Sequence, residues 1–393
     1  MSDYKYLIIG GGMTADAAVQ GIREIDSAGS IGIISNEPNP PYNRPPLSKA
    51  LWKGEPLDIV WRETSKDKAE LHLSVTAKSI DSKTKRVMDD RGVSHGYDKL
   101  LLATGGTVRR LPWNVDGISY YRTLDDYRNL RALADQKESF AVIGGGFIGS
   151  EMAAALTMAG KSVTMIFPES GIGTRIYPPR LSTFLNRYFE SKGVKLLAND
   201  GVGDLVKQGS NYRLTTTGFD EYVFDGVVAG IGIQPNVDLA RAAGLKIDNG
   251  IIVDEFLQTS QPDIFAAGDV ANFASPALGK RMRVEHEDNA NTGGKTAGAN
   301  MAGAQTKYHH LPFFYSDLFD LGYEAVGELD PRLDVVEDWQ EEFRTGVVYY
   351  LKDKRVRGVL LWNVWGQVDT ARQLISDSGP FDAGNLKGRI KAS

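Results

Sequence analysis

Lys5-Tyr6-Leu7-Ile8-Ile9-Gly10-Gly11-Gly12-Met13-Thr14-Ala15 stands near the start of the chain. Phe140-Ala141-Val142-Ile143-Gly144-Gly145-Gly146-Phe147-Ile148-Gly149 repeats its pattern. Each is a short apolar run that enters a glycine-rich turn and continues into a helix of small residues. A strand, turn and helix of this kind bind the pyrophosphate of a dinucleotide. The glycines allow a tight turn and close backbone approach, and the helix N-terminus faces the phosphates. Two copies in one chain point to two dinucleotides, and so to electron traffic between them.

The second turn completes the GxGxxG pattern. In the first, Ala15 takes the third glycine position, which governs helix–strand packing and tolerates alanine. The fingerprint also wants a carboxylate about 20 residues on, to accept a hydrogen bond from a ribose hydroxyl. Glu37 follows the second strand of the first unit, and Glu169 that of the second. Glu169 repels a 2′-phosphate and favours NADH over NADPH, although Arg175 nearby is able to meet a phosphate from another angle.

Around these turns lies a 393-residue chain, long enough for two or three domains. It is 42% hydrophobic and 24% charged, as soluble globular proteins are. No apolar run approaches the roughly 20 residues that span a bilayer. The N-terminal stretch has neither a signal-peptide nor a transit-peptide pattern, so a cytoplasmic location is expected. A net charge of -5 argues against a nucleic-acid binder. The absence of cysteine excludes disulfides, thiolate metal sites and thiol–disulfide relays. With five histidines and no ligand-like spacing, no metal site is expected, and redox chemistry falls to an organic cofactor.

Strands are expected at 4–9 and 31–35 around a helix at 14–27, then a proline-rich segment, Pro38 to Lys49, with a helix beginning at Pro46. Leu100-Leu101-Leu102-Ala103-Thr104-Gly105 reads as a buried strand ending in glycine. A capped helix at 123–137 introduces the second strand–turn–helix unit. Residues 194–228 read as hairpin-like. Ile264-Phe265-Ala266-Ala267-Gly268-Asp269 is another strand-to-glycine turn before a small-residue helix at 289–301. From 305 onward, alternating aromatic runs predict an antiparallel sheet. The expected fold is α/β: two Rossmann-like dinucleotide-binding domains plus a C-terminal α+β domain. The boundaries read as 1–120 and 246–304 for the first dinucleotide-binding domain, 121–245 for the second, and 305–393 for the C-terminal domain.

With both units placed, the chain resembles the flavin-dependent pyridine-nucleotide oxidoreductases over nearly its whole length. Ala103-Thr104-Gly105 and Ala267-Gly268-Asp269 match family signatures in the family's order. Pro41-Tyr42-Asn43-Arg44-Pro45-Pro46-Leu47-Ser48-Lys49 resembles the cysteine-free branch. That branch includes oxygenase-coupled ferredoxin reductases of the putidaredoxin reductase type and apoptosis-inducing factor. Val284 to Ala290, Tyr315-Ser316-Asp317-Leu318, Gly322 to Ala325 and Val359 to Asn363 are closer to the latter.

The resemblance implies FAD at the first turn (Gly10, Gly12, Met13, Thr14, Ala15) and NADH at the second (Gly144, Gly146, Phe147, Ile148, Gly149). Asp269, beside Gly268, is placed for the ribityl or pyrophosphate part of FAD, and Arg44 for its phosphates. Lys49 is carried over as the neighbour of flavin N5, paired with Glu151, and these two are the catalytic candidates. Ala77, Ala103, Thr104, Gly105, Arg122, His286, Glu287 and Tyr315 are carried over as FAD contacts. Gly232, Glu285 and Glu324 join Glu169 and Arg175 on the nicotinamide side. Asn36 stands where the family has a ribose-binding glutamate, with Glu37 next to it, and either is in position to reach the ribose.

The expected activity is hydride transfer from NADH to flavin N5, followed by onward electron transfer to a ferredoxin or rubredoxin. A small acceptor (quinone, monodehydroascorbate or dioxygen) is the alternative within enzymes. An NADH-responsive redox sensor with a stable charge-transfer complex is the alternative outside them. A homodimer is compatible with each.

Overall fold

The computed structural model describes residues 2–391, which divide into two compact units. The first comprises the chain up to Asn43, Asp58–Thr107 and Gln234–Pro312. Its sheet runs in the order Ala69–Leu73, Ile31–Ser35, Ser2–Ile9, Ser94–Leu102, Arg86–Asp89, Ala77–Asp81, with Ile264–Ala266 also paired to Ser94–Leu102. Ile8 lies opposite Ile33 on one side and Leu101 on the other, in parallel register. The chain winds outward from Ser2–Ile9 to Ala69–Leu73, passes through the antiparallel strands Ala77–Asp81 and Arg86–Asp89, and rejoins Ser2–Ile9 on its other side at Ser94–Leu102. Such a reversal opens a crevice beyond the carboxyl ends of the strands, where open α/β sheets bind ligands.

Two helices of small residues cross within this unit. A methyl added to Gly294 or Gly298, on Glu287–Met301, would collide with the carbonyl oxygens of Thr14 and Ala18 on Met13–Ile25. One added to Gly21 would collide with the carbonyl of Lys295. The glycine spacing therefore serves a backbone-to-backbone approach. It holds the later helix against the one that follows the first glycine turn.

The second unit comprises Arg44–Leu57, Val108–Ile233 and the chain from Phe313 onward. A parallel sheet runs Lys195–Ala198, Ser162–Phe167, Ser139–Ile143, Gly226–Ala229. Beside it in sequence comes a three-stranded antiparallel sheet, Val202–Gln208, Asn211–Thr216 and Glu221–Phe224. The C-terminal part is a five-stranded antiparallel sheet in the order Phe313–Leu318, Leu321–Gly327, Arg355–Trp362, Thr345–Lys352, Asp334–Glu341. Its core stacks Tyr323 on Trp362 at 5.6 Å, with Tyr177 edge-on to both.

Three expectations need correction. No α-helix begins at Pro46: two 3-10 turns, Pro45–Ser48 and Ala50–Lys53, meet at Lys49. Lys195–Ala198 is not part of a hairpin but pairs in parallel with Ser162–Phe167. An amphipathic helix, Pro179–Ser191, fills a stretch to which the sequence assigned nothing, burying Leu181, Leu185, Tyr188 and Phe189.

Candidate active site

In the first unit the turn residues sit together because they all follow parallel strands. Gly10 follows Ser2–Ile9, Asn36 and Glu37 follow Ile31–Ser35, Ala103 to Gly105 follow Ser94–Leu102, and Gly268 and Asp269 follow Ile264–Ala266 after Ala267. Gly10 has φ +113°, and a side chain there would collide with the carbonyl of Ala103. Gly12 caps helix Met13–Ile25 with no side-chain hydrogen bond. A methyl on Gly12 would meet no heavy atom within 4 Å. A helix N-terminus without a side-chain cap and fronted by open space fits an anionic pyrophosphate.

Glu37 accepts a hydrogen bond from Tyr42 Oη at 2.6 Å, whereas Asn36 is exposed. His286 is half-buried with its Nδ1 shielded from solvent, and burial pushes its imidazole down to about 4. Glu287 begins the later helix, and Ala77 begins strand Ala77–Asp81. Arg283 donates to the carbonyl of Asp269 at 3.1 Å and pairs with Glu285 at 2.8 Å. Glu285 thus belongs to the first unit.

One cation that the sequence reading missed ties this unit together. Arg62 bonds Asp16 at 2.9 Å, Asn43 at 2.8 Å and Asn291 at 2.7 Å. It thereby links the glycine-turn helix, the proline segment and the later small-residue helix. Asp16 is 3% exposed and also accepts from Thr64 at 2.5 Å. No local motif marks Arg62.

The second glycine turn repeats the geometry. Gly144 has φ +109°, and Gly146 caps helix Phe147–Met158 without a side-chain bond and with no heavy atom within 4 Å of an added methyl. Gly149 differs, because a methyl there would collide with the carbonyl of Gly144. Gly232 follows strand Gly226–Ala229 at φ +91°. Glu169, just beyond Ser162–Phe167, holds Arg175 at 3.0 Å. Phe147 is 44% exposed and packs edge-on to Phe314 at 5.3 Å, and Ile148 follows it in the first helical turn. Glu324 accepts from the Gly366 N–H, while burial pushes its carboxyl above the usual range.

The same unit holds the charged pair. Lys49 Nζ lies 2.7 Å from Glu151 Oε1, with side chains 12% and 4% exposed. Lys49 is the junction of the two 3-10 turns, with φ -129° and ψ -95°. Its ammonium lies 5.3 Å from the centre of the Tyr315 ring, a cation–π distance. Two hydroxyls not foreseen from sequence complete the group. Ser48 Oγ donates to Glu151 Oε2, and Ser316 Oγ to Oε1, each at 2.6 Å. Arg44 and Arg122 also belong here, Arg44 donating to the Arg122 carbonyl at 2.9 Å.

Among the described residues, no helix is long and apolar enough to cross a membrane. Residues 4–294 match the model of the pyridine nucleotide-disulphide oxidoreductase family. Residues 297–340 and 334–377 match that of the C-terminal part of apoptosis-inducing factor, mitochondrion-associated. Apoptosis-inducing factor 1, mitochondrial, of Dictyostelium discoideum is 36% identical across 95% of this chain and 79% of that protein. The 5,5'-dehydrodivanillate O-demethylase ferredoxin reductase subunit of Sphingobium is 32% identical across 98% and 96%. The crystal structure of the covalent putidaredoxin reductase–putidaredoxin complex gives a TM-score of 0.91 at 28% identity, covering 98% of this chain and 96% of that one. The disulphide of the family name has no counterpart here, since the chain lacks cysteine. The chain belongs to the pyridine nucleotide-disulphide oxidoreductase family and is an FAD-dependent NAD(P)H oxidoreductase.

Proposed function

We propose that this oxidoreductase takes a hydride from NADH onto flavin N5 and passes the electrons to a small iron–sulfur protein, a ferredoxin or rubredoxin. Bound FAD supplies two-electron acceptance and one-electron release. The observation that carries the reading is the ion pair of Lys49 with Glu151, the latter buried on the helix after the second glycine turn. Glu151 comes four residues after Phe147, about 6 Å along the helix axis. One helix thus receives the nicotinamide pyrophosphate at its N-terminus and, one turn on, anchors the cation assigned to the flavin.

Lys49 orients and polarises the ring, and Glu151 keeps the ammonium charged and in place. Tyr315 lies beside that ammonium. Glu169 accepts from the adenosine ribose and repels a 2′-phosphate, which selects NADH. No residue need transfer a proton in this half of the reaction; positioning and electrostatics suffice. An iron–sulfur acceptor is supported by the likeness to reductases that serve such partners. Stopped-flow turnover with candidate ferredoxins across a salt series tests it, and no acceleration over free flavin defeats it.

A second reading, an NADH-responsive sensor, is favoured by the C-terminal match to apoptosis-inducing factor. Anaerobic titration with NADH followed by air distinguishes the two. A long-wavelength band that persists in air supports the sensor, and prompt reoxidation supports turnover.

A further inference from the structure

The Glu151 carboxylate is received by donors from three separate places in the second unit. Oε1 accepts from Lys49 Nζ at 2.7 Å and Ser316 Oγ at 2.6 Å; Oε2 accepts from Ser48 Oγ at 2.6 Å. Ser48 precedes Lys49 at the end of the first 3-10 turn, and Ser316 lies within strand Phe313–Leu318. Ser48, Ser316 and Glu151 are all buried, at 8%, 1% and 4% exposure. A hydroxyl has one hydrogen to donate, and each serine places it on this carboxylate. Hydrogen bonds to a charged acceptor are short and strong, and they fix the acceptor's rotation.

A lone lysine–glutamate pair is free to exchange partners. An ammonium that faces a group of changing charge follows that charge and leaves its carboxylate. With each oxygen held by a serine from a different element, Glu151 is unable to swing after Lys49. The Oε1 lone pair that receives Lys49 then keeps its direction.

We propose that Ser48 and Ser316 are positioning residues that lock Glu151, so that Lys49 keeps one location whatever charge the flavin carries. This rests on the assignment of Lys49 to flavin N5. It adds two residues outside the glycine turns and the charged pair, and a reason for their burial. Neither serine touches the reacting atoms; both act through Glu151.

The test uses the FAD-loaded protein with Ser48→Ala, Ser316→Ala, the double variant, Lys49→Met and the triple combination. Two quantities are read: the flavin midpoint potential, and the limiting rate of flavin reduction separated from the apparent NADH affinity. The double serine variant is expected to reduce roughly tenfold more slowly. Its NADH affinity stays unchanged, and its potential shifts part of the way toward that of Lys49→Met. In the Lys49→Met background the serine changes add nothing.

If Lys49→Met slows reduction but the serine variants match the wild type, or lower the rate by the same factor with and without Lys49, the lock is wrong and the Lys49 assignment stands. If Lys49→Met alters neither quantity, the assignment falls and the lock with it. Each single serine change removes a donor together with its hydrogen, so no donor is stranded. The singles therefore carry the test should the double variant fail to retain FAD.

Discussion

Gly146 and Gly149 lie three residues apart and make opposite predictions for the same substitution. At Gly146 the backbone has φ -88° and ψ -166°, which alanine adopts freely, and an added methyl meets nothing within 4 Å. Gly146→Ala therefore leaves the protein without nucleotide as stable as before, or up to about 1 kcal/mol more so through a less flexible unfolded chain. If the pyrophosphate lies against that Cα, the methyl overfills the site. Overpacking by one methyl costs about 1–3 kcal/mol, or roughly 5- to 150-fold in affinity.

Gly149→Ala instead drives a methyl into the Gly144 carbonyl, so helix Phe147–Met158 has to back away from its own turn. The expected cost is about 3 kcal/mol or more, seen as a thermal midpoint several degrees lower. Calorimetric titration with NAD+ and scanning calorimetry, run on both variants, give the two numbers. Gly146→Ala should lose affinity at unchanged midpoint, and Gly149→Ala should lose midpoint. A Gly146→Ala protein that binds NAD+ as tightly as wild type would refute the placement of the nucleotide at this turn. A Gly149→Ala protein that melts with wild type would refute the close approach.

Glu169→Ala removes the carboxylate that holds Arg175. The ratio of kcat/KM for NADPH to that for NADH should rise at least about tenfold, and an unchanged ratio counts against the selectivity assigned to Glu169. Arg62→Met removes the cation from Asp16, a carboxylate 3% exposed; breaking such a pair costs up to about 3–5 kcal/mol. A lower thermal midpoint and faster FAD loss are expected, and a midpoint within a degree of wild type would sink the idea. His286 sits at about 4 in the folded protein against about 6.5 when unfolded, so the unfolded chain binds the extra proton between those values. Stability should then fall by about 3 kcal/mol as pH drops through that window, measured as thermal midpoint against pH. His286→Asn should flatten the loss, and an equally steep decline in the variant overturns it.

The parts legible in the sequence are those whose physics is local. A glycine turn between an apolar strand and a small-residue helix is specified within about fifteen residues, because its requirements are φ above zero, absent side chains and a helix start. Both turns therefore declared themselves, as did the capped helix at Leu124–Ala134, whose Thr123 and Asp126 form a capping box. The helix Pro179–Ser191 went unassigned, although proline at the first helical position is compatible with a start. The site's second layer was illegible for another reason. Ser48 and Ser316 meet Glu151 across 103 and 165 residues, and Arg62 meets Asn291 across 229. A hydrogen bond at such separation imposes no period and no composition on either neighbourhood, so an isolated serine or arginine carries no sign of it.

Lys49 stands between these cases and explains why a proline-rich stretch occupies this place. Two prolines at the start of a short helix supply fixed φ and need no N–H partners there. The turn they begin ends after four residues, and the backbone at Lys49 leaves the helical region before a second turn starts. In a continuous helix, residues 48 and 49 would point about 100° apart around one axis, which makes it harder for both to reach one carboxylate. The break removes that constraint: Ser48 reaches Oε2 while Lys49 reaches Oε1. The irregular geometry read from sequence as a helix start is thus what lets adjacent residues grip the same buried group.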